Sequence, residues 1–228
     1  MRRPLLAALA FLTVAGPAAA QRSFPVRGFD QVEFAAAGGV DIHSGTDFRV
    51  EADGDPRLLD RLDIHTNGRV LVIGWREGAP VSINHGEKLH ISVTMPRVVG
   101  VAMSGAGSIR VDRTDVPDFA ATMKGAGSIN LLALHARMVR LMMYGAGEIK
   151  AAGTAERVEA RMNGVGSVDA TGLIAHAGRF DMGGTGSIKA HVDGPAEANA
   201  SGMGSIRIFG KANCSIHKSG FGSVHCGD

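Results

Sequence analysis

The chain has 228 residues, with 24 lysines and arginines against 22 acidic residues, and 45% of its residues are hydrophobic. This hydrophobic content excludes a disordered chain, and the near-neutral charge excludes nucleic acid as a main partner. Because 32 residues are glycine and only 5% are aromatic, we expect a core of small and aliphatic side chains.

The first twenty residues have the pattern of a removable signal peptide. Arg2 and Arg3 form a basic start, residues 5–14 are apolar, and residues 18–20 are small alanines at a cleavage position. Cleavage before Gln21 would leave 22 basic and 22 acidic residues. No later stretch approaches the roughly 20 apolar residues of a transmembrane helix. We therefore expect no transmembrane anchor and a periplasmic or cell-surface location.

Residues 21–98 alternate apolar and polar residues in short runs, which predicts strands. These runs lie at residues 29–34, 40–42, 48–50, 70–73 and 89–94, with turn residues at 38–39, 44–45, 67–68 and 74–86 between them. Asp55 followed by Pro56 predicts one short helical turn capped by the aspartate. We interpret residues 21–98 as β-rich coils without the glycine repeat, which cap residues 99–228 within one continuous domain.

Residues 99–228 contain a glycine-rich repeat. Seven Gly-x-Gly pairs are each followed by Ser or Glu and then by Ile or Val, and successive pairs are 20, 20, 19, 20, 18 and 18 residues apart. The first glycines of the pairs are Gly105, Gly125, Gly145, Gly164, Gly184, Gly202 and Gly220. A unit this short cannot close its own core, so it must stack on its neighbours.

Apolar residues alternate with a period of two around each glycine pair, as in a strand. Five methionines occupy one inward column, two residues before the first glycine: Met103, Met123, Met143, Met162 and Met182. We interpret them as core packing rather than a metal track, and the glycines as corners rather than a phosphate cradle. Coils stacked at roughly 4.8 Å predict an all-β fold, a parallel β-helix with about seven rungs.

The final rung differs from the others in two respects. Lys218 stands in the methionine column, where it is expected to oppose stacking of another chain on the open end. Cys214 and Cys226 are the two cysteines, and in an exported chain we predict that they form a disulfide that staples this rung.

The segments at residues 29–32, 39–42, 58–59, 71–73, 93–96 and 104–109 carry a family resemblance. On these segments the chain resembles the putative autotransporter adhesin head GIN domain family, a domain of unknown function in exported bacterial proteins, over nearly all of the mature chain. The resemblance implies a right-handed parallel β-helix. It assigns no catalytic residues, so none are carried over.

Several kinds of chemistry are disfavoured by the pattern. Calcium binding of the repeat type needs Asp after each glycine pair, where this chain has Ile109 and its equivalents. Zinc needs clustered ligands, and of the nine histidines only His217 and His225 could approach each other. The acidic residues fall at different phases of the repeat, although an enzyme on acidic polysaccharide would need converging carboxylates. We therefore expect no cofactor, no metal site and no enzyme.

Two outward columns remain as a candidate ligand face. One combines Arg110, Asn130, Lys150, Asp169, Lys189, Arg207 and His225, and the other contains Ser108, Ser128, Ser187 and Ser205. Their simplest interpretation is a solvated surface, and the alternative is a stripe that binds an anionic glycan or another envelope component. The leading hypothesis is a non-enzymatic structural or adhesive module. The alternatives are a carbohydrate-active enzyme and a weakly self-associating scaffold.

Overall fold

A computed structural model describes residues 20–76, 78 and 89–227. Strands make up 73% of it and helix 3%. The predicted β-solenoid is therefore confirmed, with about six turns rather than the predicted seven rungs. Within the described residues, no helix has the length and apolar character needed to cross a bilayer. The predicted leader, apart from Ala20, and most of the predicted turn at 74–86 lie outside the described residues.

The strands follow one another with a single short helix between them. The N-terminal elements are β1 (Ala20–Phe24), β2 (Gln31–Phe34), β3 (Ala37–Ser44), β4 (Arg49–Gly54), α1 (Pro56–Arg61), β5 (Leu62–Asn67), β6 (Val70–Trp75) and β7 (Leu89–Met95). The repeat comprises β8 (Gly100–Met103), β9 (Ala106–Val111), β10 (Thr114–Met123), β11 (Ala126–Met143), β12 (Ala146–Met162), β13 (Val165–Met182), β14 (Thr185–Val192), β15 (Pro195–Ala200), β16 (Ser205–Phe209), β17 (Asn213–Lys218) and β18 (Ser223–Cys226).

The repeat stacks into parallel sheet faces around the core, and two of these, faces A and B, meet at the glycine corners. Face A precedes each corner and contains β8, β10, the second halves of β11 to β13, β15 and β17. Face B follows each corner and contains β9, the first halves of β11 to β13, β14, β16 and β18. The long strands β11, β12 and β13 therefore contribute to both faces, one coil apart.

The coil made of β2 and β3 lies inside the stack and not at its end. β2 pairs in parallel with both β6 and β8, and β3 pairs in parallel with both β7 and β9. The chain thus lays down one coil, passes beneath it through β4 to β7, and returns above it with β8. The runs predicted from the sequence did not include β1 or β5.

The N-terminal end of the solenoid is closed by antiparallel strands and the helix. β4 pairs antiparallel with β7 and with β1, while β5 pairs antiparallel with β6. The helix begins after Asp55, whose carboxylate accepts a hydrogen bond from the Arg57 N–H at 2.8 Å, as the capping pattern predicted. Leu58 and Leu59, which belong to this helix, are buried.

The inward columns form one continuous core. The five methionines that precede the corners are at most 1% exposed, and the isoleucine or valine after each corner from Ile109 to Ile206 is fully buried. Thioethers therefore pack against small residues and aliphatic side chains, as the alternation predicted.

The corners explain the glycine repeat. At the second glycine of the pairs from Gly107 to Gly186, φ lies between +138° and +144°, a region that side chains disfavour. A Cβ on Gly125 would lie 1.9 Å from the carbonyl oxygen of Gly105 in the coil below, although its own φ is ordinary. Close backbone approach therefore requires glycine at both positions of a pair, and positive φ requires it in addition at the second position. Gly38 belongs to the same column with φ +135°, so the N-terminal third does contain a glycine corner.

Candidate functional site

The basic column lies on face B as one ladder, in which each residue is the direct partner of the next coil's residue. Its described members follow Asp41 in the order Arg110, Asn130, Lys150, Asp169, Lys189, Arg207 and His225. The serine column runs beside it, with Gly39, Ser108, Ser128, Glu148, Ser167, Ser187, Ser205 and Ser223 in register. Side chains two residues apart point to the same side of a strand, so both columns share one outer surface.

Ion pairs divide the basic column into occupied and available cations. Glu148 lies 2.9 Å from the Lys150 ammonium, and its hydrogen bond raises the pKa of Lys150. In contrast, Arg110, Lys189 and Arg207 form no ion pair with the described residues. Three of the four cations of the predicted ligand face therefore form no ion pair within the described residues, and the fourth, Lys150, is paired with Glu148.

The acidic member of the basic column is engaged locally. Asp169 Oδ1 accepts hydrogen bonds from the Thr171 backbone N–H at 3.1 Å and from the Thr171 hydroxyl at 2.6 Å. The Asp169 carboxylate is thus held in a local turn by Thr171, two residues further along the chain. Lys189 and Arg207 then follow in the next two coils, with Ser187 and Ser205 beside them.

Face A carries a ladder of opposite charges that the sequence analysis missed. Arg179 lies 2.7 Å from Glu197 and 3.5 Å from Asp181, and Arg161 lies 3.2 Å from Asp181. Asn199 donates to Asp181 at 2.7 Å. Burial raises the pKa of Asp181, but the hydrogen bonds from Asn199 and Arg161 and the nearby arginine charges outweigh it, so its pKa is lowered. The spacing of 18 to 20 residues between these charges was the available signal.

A shallow groove runs along the third side of the solenoid, between β10, β11, β12 and β13. Its floor contains Val116, Ala136 and Ala155, and histidines and charged residues form its rim. His135 Nδ1 lies 2.7 Å from the Thr154 hydroxyl. Asp115 and Glu156 belong to different columns of the groove and lie two coils apart, about 10 Å along the stack at the usual strand spacing.

The predicted disulfide joins Cys214 and Cys226 across the last coil. The cysteines are thus unavailable as metal ligands, and the two histidines near them lie on separate faces, His217 on β17 and His225 on β18. Within residues 20–76, 78 and 89–227, no group of three or more His, Cys, Asp or Glu side chains could hold a metal ion.

The sequence profile of the putative auto-transporter adhesin, head GIN domain, matches residues 28–212. The fold is similar to a putative adhesin from Bacteroides fragilis, with a TM-score of 0.88, 20% identity and coverage of 93% of this chain and 98% of that one. It is also similar to a putative lipid binding protein from Parabacteroides distasonis, with a TM-score of 0.70, 17% identity and coverage of 93% and 97%. A putative adhesin from Parabacteroides merdae gives a TM-score of 0.65, with 17% identity and the same coverage. No curated protein matches the chain.

Proposed function

We propose, from the premise that this chain belongs to the family of putative auto-transporter adhesins with a head GIN domain, that it is a non-enzymatic adhesive module exported to the cell envelope. The proposed ligand face is the pair of basic and serine columns on face B. The observation that carries this proposal is the ladder of Arg110, Lys189 and Arg207, whose charges have no partner within the described residues. An anionic glycan of the envelope is the ligand class that we propose.

The spacing of face B supports a polymeric ligand. Neighbouring coils stack at about 4.8 Å, so hydroxyls recur at a short interval along the solenoid, and Lys189 and Arg207 place cations on two successive coils. A polymer with repeated acidic groups could contact several coils at once, which raises its affinity without requiring any single strong site. Because Lys150 is already paired with Glu148, whereas Lys189 and Arg207 have no ion-pair partner among the described residues, we place the strongest contact at Lys189 and Arg207.

A carbohydrate-active enzyme is the competing interpretation. It would require two carboxylates about 5 to 10 Å apart, held in a cleft around a sugar. Asp181 and Glu197 are instead held by arginines and Asn199, and Asp115 and Glu156 belong to different columns of an open groove. These arrangements favour binding without turnover.

The ligand face is tested with purified lipopolysaccharide and polygalacturonate, measured by biolayer interferometry at low and high salt. We expect the Lys189→Ser, Arg207→Ser variant to bind about tenfold more weakly, which corresponds to about 1.4 kcal/mol. The four-site variant, which adds Arg110→Ser and Lys150→Ser, should bind more weakly still, with most of the additional loss due to Arg110 because Lys150 is paired with Glu148. The same charge is removed in a matched control, Arg137→Ser with Arg157→Ser, which lies outside face B and should bind normally.

Two results would contradict the proposal. Equal weakening in the control would reduce the effect to net charge, and unchanged binding in the four-site variant would remove face B from the interaction. A separate screen for cleavage of both polymers tests the enzyme. Turnover that is abolished by a single carboxylate substitution would replace the adhesive interpretation.

A further inference from the structure

Among the described residues, nothing covers the C-terminal coil of the solenoid, in contrast to the closed N-terminal end. Within this part of the chain, β17 and β18 pair with the coil beneath them, β15 and β16, and with no other strand. Ile216 is 46% exposed, whereas Ala198, its partner one coil below, is fully buried. The core is thus uncovered at this end, and one edge of each strand has free backbone groups.

An exposed apolar ridge leads to this end along the glycine corners. The residue between the two glycines points outward in every coil, and its side chain is larger toward the C-terminus. The alanines at 106, 126 and 146 are followed by Val165, Thr185, Met203 and Phe221. Val165 is 61% exposed, Met203 70% and Phe221 96%. Phe221, the most exposed large apolar side chain of the described residues, therefore projects at the corner of the last coil.

The same end carries positive charge. From residue 205 to 227 the chain has Arg207, Lys211 and Lys218 and no acidic residue, and Asp228 follows outside the described residues. Lys218 stands in the methionine column above Ala200 and is exposed. A charged residue on a free edge opposes pairing with another strand, and two such ends facing each other would bring like charges together.

We propose that this end docks on an anionic lipid bilayer, with Phe221 inserted at the interface and Met203 and Ile216 at its rim. Apolar insertion combined with basic residues is the pairing of signals that gives peripheral membrane attachment. Lys218 and the neighbouring cations would meet the negative headgroups, where a strand edge also stays hydrated. The solenoid would then stand end-on, with face B available along its length.

This proposal does not depend on the glycan-binding function, because Phe221 and Lys218 belong to neither column of face B. Arg207 belongs to both surfaces and is left unchanged in the experiment. An experiment that contradicts one of the two proposals therefore does not contradict the other.

The test compares two kinds of vesicle. In the first, about one third of the lipid is anionic phosphatidylglycerol and the rest is phosphatidylcholine, and the second contains phosphatidylcholine alone. We expect co-sedimentation with the anionic vesicles, which weakens as salt screens the charges. Phe221→Ser and Lys218→Glu should each lower the partition about fivefold, which is the scale of one exposed apolar side chain or one cation at a membrane. Val165→Ser is the matched control, since it removes an exposed apolar residue from the same ridge far from the end.

Tryptophan fluorescence reports the orientation directly. The chain has a single tryptophan, Trp75, which lies on β6 near the closed end and should not respond to vesicles. Phe221→Trp adds a probe whose emission should shift to the blue and be quenched by brominated lipids. Thermal unfolding checks that the variants fold, which we expect because Phe221 is almost fully exposed.

The proposal is overturned if Phe221→Ser partitions like the unaltered chain, or if the tryptophan at position 221 stays in water. It is also overturned if the chain fails to bind vesicles and instead forms a dimer in sedimentation that Phe221→Ser abolishes, because the open end would then meet a second copy.

Discussion

Gly127 lies directly over Gly107, so closely that a Cβ on Gly127 would stand 1.9 Å from the Gly107 carbonyl oxygen. The same relationship joins Gly147 to Gly127 and Gly166 to Gly147. The clash involves backbone atoms that cannot rotate away, and φ at Gly127 is +138°. The coils can therefore stack this closely at the corner only because these residues have no side chain.

Gly127→Ala should destabilise the protein by about 3 kcal/mol or more, because both the strained φ and the displaced backbone oppose the native state. Urea unfolding followed by circular dichroism measures the change. The matched control is Gly74→Ala, where the added Cβ would lie 3.9 Å from Ala35 and φ is unrestricted. If Gly127→Ala lowers the free energy of unfolding no more than Gly74→Ala does, the backbone at the corner must relax to accommodate the added Cβ.

Asp30 predicts a pH dependence of stability. Its carboxylate accepts hydrogen bonds from Arg69 and lies 3.6 Å from Arg97, and the Arg69 hydrogen bond lowers the pKa of Asp30 despite burial of the carboxylate. A folded-state pKa below the unfolded value gives stability that is complete above the unfolded pKa and is lost as pH falls through the folded one. We therefore expect the free energy of unfolding to decline below about pH 4.

Asp30→Asn should lower stability at neutral pH and make the decline between about pH 4 and pH 2 shallower, since the substituted amide cannot titrate. Urea unfolding at a series of pH values measures both effects. Exposed Asp47→Asn serves as the control and should reproduce the native slope. An unchanged slope in Asp30→Asn would assign the acid sensitivity elsewhere, with Asp181 the next carboxylate to substitute.

We expect the disulfide to protect the last coil, and not the whole solenoid, against hydrogen exchange. It closes a loop with a sequence separation of 12, for which loop-closure entropy gives about 3 kcal/mol. With Cys214→Ser and Cys226→Ser, hydrogen exchange should accelerate in β17 and β18 and stay unchanged in β11 to β13, because each coil contacts only its neighbours. Uniform acceleration throughout the repeat would instead indicate that the last coil supports the entire solenoid.

The repeat was readable from sequence because its glycines and its alternating apolar residues each have one physical purpose. Met143 and Ile149 are fully buried, as their positions relative to Gly145 predicted. Gly38 was predicted as a turn residue but not as a member of the repeat, because Ala36 occupies the place of the first glycine and a single glycine carries little information.

Two other features could not be read in the same way. The position of β2 and β3 inside the stack depends on where the chain returns, which local sequence does not encode. On the candidate face, alignment of the basic column follows from the spacing, but the Glu148 pairing with Lys150 depends on side-chain geometry. The charge ladder of Arg161, Arg179 and Asp181 similarly appears only when residues about 20 positions apart are placed in register.

The interior position of β2 and β3 has a consequence for how the molecule is assembled. Both edges of this coil are covered by segments made later, β6 and β7 on one side and β8 and β9 on the other. Both strand edges of this coil are therefore paired. One edge pairs with the strands that close the N-terminal end, here called the lid, and the other pairs with the first coil of the repeat. Since every further turn is added at the opposite end, turns can be gained or lost there without any alteration of the lid.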